Sequence, residues 1–164
     1  MQQLASLTIA SLALLASGAA YASDMTTSLN ASVSVLPKCQ TLSATAIAFA
    51  AYAPDGQADG MGSSTINVNC TRGTLAVISL SGGGSNNTAA RKLSGPGNNT
   101  DQLAYQLYSD SNYATVWNDS SNTVQVTGEG LLTASTKTVY ASIPAQQDVN
   151  PDNYADSVVV TVSY

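Results

Sequence analysis

The 164-residue chain contains no histidine, which removes the commonest general base and the commonest metal ligand. Charge is sparse: 9% of residues are charged, ten acidic against five basic. The basic residues Lys38, Arg72, Arg91, Lys92 and Lys137 form no stripe along the sequence, which gives no support to nucleic-acid binding. No nucleophile elbow or phosphate-cradling loop occurs, and no motif places a pair of acidic residues for glycoside hydrolysis. The chain therefore reads as non-enzymatic and without a cofactor. Apart from the N-terminal apolar run, no window of eleven residues carries a helical apolar stripe. With one Phe, one Trp and eight Tyr, the aromatics that remain suit strands whose outer faces carry short polar side chains.

What is present begins with an export signature. Residues 1–22 read as a signal peptide, with an apolar run from Leu4 to Ala16 and Ala20-Tyr21-Ala22 as the cleavage pattern before Ser23. The start Met1-Gln2-Gln3 lacks the usual positive charge, and the run is too short and too rich in Ser and Ala to span a membrane. The remainder is enough for one domain and carries neither an internal repeat nor a linker. In an exported chain the two cysteines, Cys39 and Cys70, favour a single disulfide. Closing that loop of about 31 residues is worth roughly 3–4 kcal/mol on the chain-entropy model.

The rest of the chain reads as short strands separated by turns. Thr41 to Phe49 is β-permissive but rich in Ala, and Ala53-Pro54-Asp55-Gly56 opens a Gly-rich loop reaching Gly62. Thr65–Cys70 alternates strictly, followed by Leu75–Leu80, a short segment at Lys92-Leu93, Leu103–Tyr108, Thr115–Trp117, Thr123–Val126, Lys137–Ile143 and Ser157–Tyr164. Strands at this spacing imply an all-β sandwich. Asp55 with Asp59, and Asp148 with Asp152 and Asp156, offer oxygen ligands on loops, but neither spacing is that of a calcium loop; solvated turn carboxylates are the simpler reading. Five N-glycosylation patterns, at Asn30, Asn69, Asn86, Asn98 and Asn118, are those an Asn-, Ser- and Thr-rich chain produces by chance. Tyr52, Tyr108, Tyr113 and Trp117 are candidates either for cross-strand packing or for a ligand-binding face.

Two segments carry the functional argument. The sequence given ends on a strand pattern in which Val158, Val160, Val162 and Tyr164 share one face, and a strand with one side to bury needs its open edge covered. Near the other end, Leu29, Ala31, Val33 and Val35 alternate with Asn30, Ser32 and Ser34 in a second such pattern, which Met25 and Thr27 extend. Burying one Leu and two Val is worth roughly 4–9 kcal/mol.

Several motifs, taken in order, resemble a known family. They are Leu29-Asn30-Ala31-Ser32-Val33-Ser34-Val35, the Cys39 to Cys70 spacing with Asn67-Val68-Asn69 before the second cysteine, and Leu103–Asp110 with Val116-Trp117 downstream. The last are Val139–Gln147 and then Tyr154-Ala155-Asp156-Ser157, leading into the valine strand. This arrangement is similar to the spore coat protein U domain, which is also the subunit domain of archaic chaperone-usher pili in Gram-negative bacteria. The Ala-rich stretch Ala44–Ala53 departs from the turn usual there.

The resemblance implies residues 23–36 as a donor-strand segment and residues 37–164 as an immunoglobulin-like pilin domain lacking its final strand. Leu29, Ala31, Val33 and Val35 would then enter the groove beside Val158, Val160, Val162 and Tyr164 of the next subunit. It further implies head-to-tail contact with identical or related subunits, a periplasmic chaperone, an outer-membrane usher, surface localisation, and roles in adhesion and biofilm formation. Two alternatives stay open: a self-complemented coat protein, in which residues 29–35 fold back into their own groove, and a carbohydrate-binding adhesin domain.

Overall fold

The computed structural model describes residues 22–164; the expected signal peptide, residues 1–22, lies outside the described residues except for Ala22. The compact unit is Val35–Tyr164. Alternating short and β-prone side chains build eight strands: β1 (Cys39–Ala44), β2 (Gly60–Cys70), β3 (Leu75–Leu80), β4 (Arg91–Ser94), β5 (Gln102–Tyr108), β6 (Val124–Thr127), β7 (Ser135–Ile143) and β8 (Val160–Ser163). A single 3-10 turn, Gly83–Ser85, accompanies them, and there is no α-helix among the described residues.

The strands form two antiparallel sheets, ordered β1-β2-β7-β5-β4 and β6-β3-β8. In β2, β3 and β5 burial alternates residue by residue, as it must where one face of a pleated strand meets a core. Ile66 and Val68 of β2, Ile78 and Leu80 of β3, and Leu103 and Leu107 of β5 are among the side chains that fill the interior. The result is the immunoglobulin-like sandwich expected. Cys39, the first residue of β1, lies opposite Cys70, the last of β2, and the two form a disulfide that ties the start of the domain to its longest strand.

The structure departs from the sequence reading at several strand ends. β2 begins at Gly60, inside the stretch read as a loop, because Gly60 and Gly62 pair with Ile143 and Ala141. A Cβ at Gly62 would stand 3.0–3.1 Å from the side chains of Ile47 and Phe49, which would have to shift by a few tenths of an ångström to admit it. Thr115–Trp117 forms only an isolated bridge between Tyr108 and Val116. Trp117 instead turns inward, 0% exposed, its indole N–H donating to the carbonyl of Ile78 at 3.0 Å, so it is core and no part of a binding face. In the β-permissive stretch Thr41 to Phe49 the ladder reaches only Ala44, and the strand read from Ser157 begins only at Val160.

Ahead of the compact unit, residues 22–34 carry no helix or strand. Met25, Leu29 and Val33 are 98%, 96% and 88% exposed. No helix among the described residues is long and apolar enough to cross a membrane.

Candidate binding groove

Each sheet leaves one edge unpaired beside the same cavity. β8 pairs only with β3. Beyond β1, Thr45 donates its N–H to the carbonyl of Thr65 at 3.1 Å, after which the chain runs on to Tyr52 without a ladder. Between these edges lies a cavity of about 630 Å³. Ile47, Phe49 and Tyr52 form its front wall, residues 152–158 with Val160 its back wall, and core side chains such as Leu103, Leu107 and Val139 line its floor.

The expected groove residues divide accordingly. Val158 and Val160 line the cavity. Val162 is half-buried against the core, whereas Tyr164 is exposed and its hydroxyl makes a long contact, 3.5 Å, with the carbonyl of Cys39 at the disulfide end. Leu29, Ala31, Val33 and Val35 are exposed.

The back wall precedes the β8 ladder and is held largely by side chains. Ser94 and Ala155 exchange two backbone bonds of 2.8 and 3.0 Å. Ser81 brackets Val159, its N–H donating to the Val159 carbonyl at 3.0 Å and its hydroxyl accepting the Val159 N–H at 2.9 Å. Between these ties sits Asp156, whose carboxylate accepts the N–H groups of Gly84 and Ser157, both at 2.8 Å, and the hydroxyl of Tyr105 at 2.7 Å. Tyr105 rises from β5 of the opposite sheet and is 5% exposed. Burial, then the bond to Asp156, pushes its pKa well above the ordinary tyrosine value, so the hydroxyl stays protonated as a donor. Gly83, at φ 62°, passes so close that any Cβ would overlap the Asp156 carboxylate.

Arg91 fastens the same loop from behind. It is 0% exposed, and its guanidinium donates to the carbonyls of Leu80, Ser81, Thr88 and Trp117 and to Gln106 Oε1 over 2.6–3.2 Å. Burial lowers its pKa, against which the fields of Tyr105, Asp119 and Asp156 act. The sequence reading took Asp156 for a turn carboxylate, though within the Tyr154–Ser157 motif that carries the family resemblance, and Arg91 for one of five scattered cations. Asp148, Asp152 and Asp156 do not converge, and among the described residues no group of three or more Asp, Glu, His or Cys is placed to hold a metal.

The tyrosines also separate into roles. The Tyr52 hydroxyl donates to the carbonyl of Pro144 and accepts the N–H of Gln147, fixing the front wall to the segment after β7. Tyr113 packs edge-on against Tyr108 and Tyr140, ring centres 5.5 and 6.1 Å apart. It adopts φ 56° in a turn built on Asp110, whose carboxylate accepts three backbone N–H bonds. Those bonds, that of Thr115 foremost, hold the Asp110 carboxyl below the usual range.

Two antiparallel sheets with an apolar groove between an unpaired edge of each define an immunoglobulin-like sandwich left open along one side. The chain belongs to the spore coat protein U domain family, whose model matches residues 25–161. It is 34% identical to Protein U of Myxococcus xanthus over 112 residues, covering 65% of this chain and 62% of Protein U, so it spans less than two thirds of that relative. Among solved structures it is similar to a chain of the CsuC–CsuE chaperone–tip adhesion subunit pre-assembly complex, from the archaic chaperone-usher Csu pili of Acinetobacter baumannii. That match has a TM-score of 0.58 and 21% identity, and covers 79% of this chain and 40% of that one.

Proposed function

We propose that this protein is a structural subunit of a surface pilus, assembled head-to-tail through donor-strand exchange on the chaperone-usher route and serving adhesion and biofilm formation. The observation that carries the reading is the apolar groove between two unpaired edges, in a chain that also holds an exposed apolar stripe short enough to lie along it. The front wall from Ala44 to Tyr52 spans about 26 Å, and Leu29 to Val35 about 20 Å, at the rise of a strand. Strand addition supplies both backbone bonds to the edges and side chains to the groove.

The tether favours a donor from a second copy. Lys38 is tied to Thr71 by two hydrogen bonds of 2.8 and 3.1 Å, so the arm leaves the domain at the disulfide end, while the groove wall begins five residues past Cys39. An arm reversing at Leu36-Pro37 against its own β1 would set Val33 and Val35 beside the first residues of that strand. The wall at residues 44–52 would then face roughly residues 22–30, leaving Ala31, Val33 and Val35 short of the groove. Entry into another copy is free of that register. A contact with one groove and one donor per subunit propagates as a fibre.

The solved neighbour is a chaperone complex from a chaperone-usher system, which supports a periplasmic chaperone as first occupant of the groove, with an outer-membrane usher as the site of exchange. A synthetic peptide of residues 23–36 tests the reading. Added in excess during assembly of residues 23–164, it is expected to shorten the oligomers in proportion to its concentration, as a chain terminator does. Oligomers of unchanged length at saturating peptide would contradict it.

A further inference from the structure

On the outer face of the larger sheet, short polar side chains give way to aromatic ones at one spot. Thr65 and Asn67 of β2 lie opposite Thr138 and Thr136 of β7. Farther along the same strands the register sets Ser63 opposite Tyr140, and Tyr140 opposite Tyr108, with Met61, 49% exposed, two residues on. Tyr113 stands edge-on to both tyrosine rings, at φ 56°, a backbone setting that bulky residues avoid and that recurs at ligand clamps. Tyr113 and Tyr140 wall a hollow of about 480 Å³, floored by residues 61–63 and closed on the far side by Ala46 and Ala48. That volume falls in the range of small-ligand sites, about 300–1,000 Å³. Among the described residues no charged side chain lines it.

The hollow also holds backbone groups with no strand to meet. The N–H of Thr45 donates to the carbonyl of Thr65, and that of Thr65 to the Thr45 hydroxyl, both at 3.1 Å. The odd-numbered residues of β2 therefore turn their N–H and C=O groups away from β7 and toward β1. Met61 and Ser63 follow in the same phase, past the last residue of β1, and both line the hollow. A further strand cannot pair with them, since it needs about 4.8 Å from each neighbour. The chain at residues 47–49 already lies beside Gly62, its side chains within 3.0–3.1 Å of where a Cβ would stand. A small molecule rich in hydroxyls suits both features, because hydroxyls pair with exposed donors and acceptors alike, and C–H groups stack on the electron-rich faces of aromatic rings. We propose that this hollow binds a neutral saccharide, one sugar ring lying against Tyr113 and Tyr140 with its hydroxyls on the backbone groups of Met61 and Ser63. Ala46 and Ala48 line it, whereas Ile47 and Phe49 between and beside them line the groove, so a captured strand leaves the hollow open. Its repetition once per subunit along a fibre rests on the donor-strand reading above, and multivalency then strengthens a weak single contact.

The test is retention of the full chain, residues 23–164, on immobilised oligosaccharides of glucose, galactose, mannose and N-acetylglucosamine, beside sialylated counterparts. At least one neutral probe is expected to retain the protein and to be competed by the same sugar in solution. Sialylation is expected to bring no gain, because no cation lines the hollow. Tyr140→Ala and Tyr113→Gly are each expected to weaken retention at least about tenfold. Glycine accepts φ 56° without strain, so the second variant keeps the fold whatever the first does, and it is expected to assemble as the unsubstituted chain does. No retention on any neutral probe, or retention that both variants leave unchanged, would overturn the site and leave donor-strand exchange standing. Tyrosine-dependent retention of a chain that stays monomeric would uphold the site and overturn the fibre.

Discussion

Val33→Asp in the full chain is expected to yield a folded subunit that does not assemble. Val33 is 88% exposed in the free chain, so a carboxylate there disturbs no contact of the subunit. Inside a groove lined by leucine, valine and aromatic rings the same carboxylate has no cation to meet, and leaving a charge buried and unpaired costs several kcal/mol. A loss of about 3 kcal/mol at each joint lowers its equilibrium constant more than a hundredfold, which ends growth at ordinary protein concentrations. Circular dichroism reads the retained fold, and light scattering the lost assembly. Val160→Asp makes the contrast: Val160 belongs to the β8 ladder and is packed against the core, so that change damages the subunit itself. If the Val33 variant assembled as the unsubstituted chain does, donor-strand exchange through residues 29–35 would be wrong.

The second large effect lies at Arg91. Replacing it with leucine keeps much of the volume but strips donors from the buried carbonyls of Leu80 and Trp117 and from those of Ser81 and Thr88. Each orphaned group costs about 1–3 kcal/mol. Because these acceptors are backbone atoms, no compensating substitution removes them, unlike the partner in a buried ion pair. A net loss of roughly 3–5 kcal/mol is a large share of a total stability of about 5–15 kcal/mol. The melting temperature should fall by about 10 °C or more, with Arg91→Lys showing a similar loss because a single ammonium cannot span all four carbonyls. A fall below about 3 °C would mean that the guanidinium is dispensable to the loop between β3 and β4.

Where strand and core coincide with a local rule, the sequence was legible. Strict alternation marks Thr65 to Cys70, and Leu75 to Leu80 and Leu103 to Tyr108 read as strands from their β-prone residues; in all three the structure buries every second residue, from Ile66, Ala76 and Leu103 onward. The disulfide followed from two cysteines in a chain with an export signature. Strand ends were less legible, since they depend on partners: Gly60 and Gly62 look like loop residues until β7 lies beside them, and Ser157 to Val159 look like ladder until Asp156 takes the N–H of Ser157 and Ser81 the bonds of Val159. The groove's valines show as a period-two pattern. Its front wall, an Ala-rich stretch without a clear period, does not. Least legible were the polar ties, because Tyr105 and Asp156 are 51 residues apart, and Arg91 and Trp117 26 apart, and no periodicity connects such pairs.

Tyr113 shows the converse. A bulky residue at positive φ is strained, and it was picked out as one of several candidate surface tyrosines without any sign of its backbone. Asp110 supplies the reason that the turn holds, through three N–H bonds to one carboxylate.

The central claim is that residues 29–35 serve another copy's groove. Size exclusion with light scattering on residues 23–164, beside the same chain lacking residues 23–35, tests it most directly. The expected result is a ladder of oligomers from the longer chain, and from the shorter one no ladder, with soluble protein recovered only when the peptide of residues 23–36 is supplied. A stable monomer from the longer chain that unfolds when the segment is deleted would contradict the claim, since the segment would then be filling its own groove.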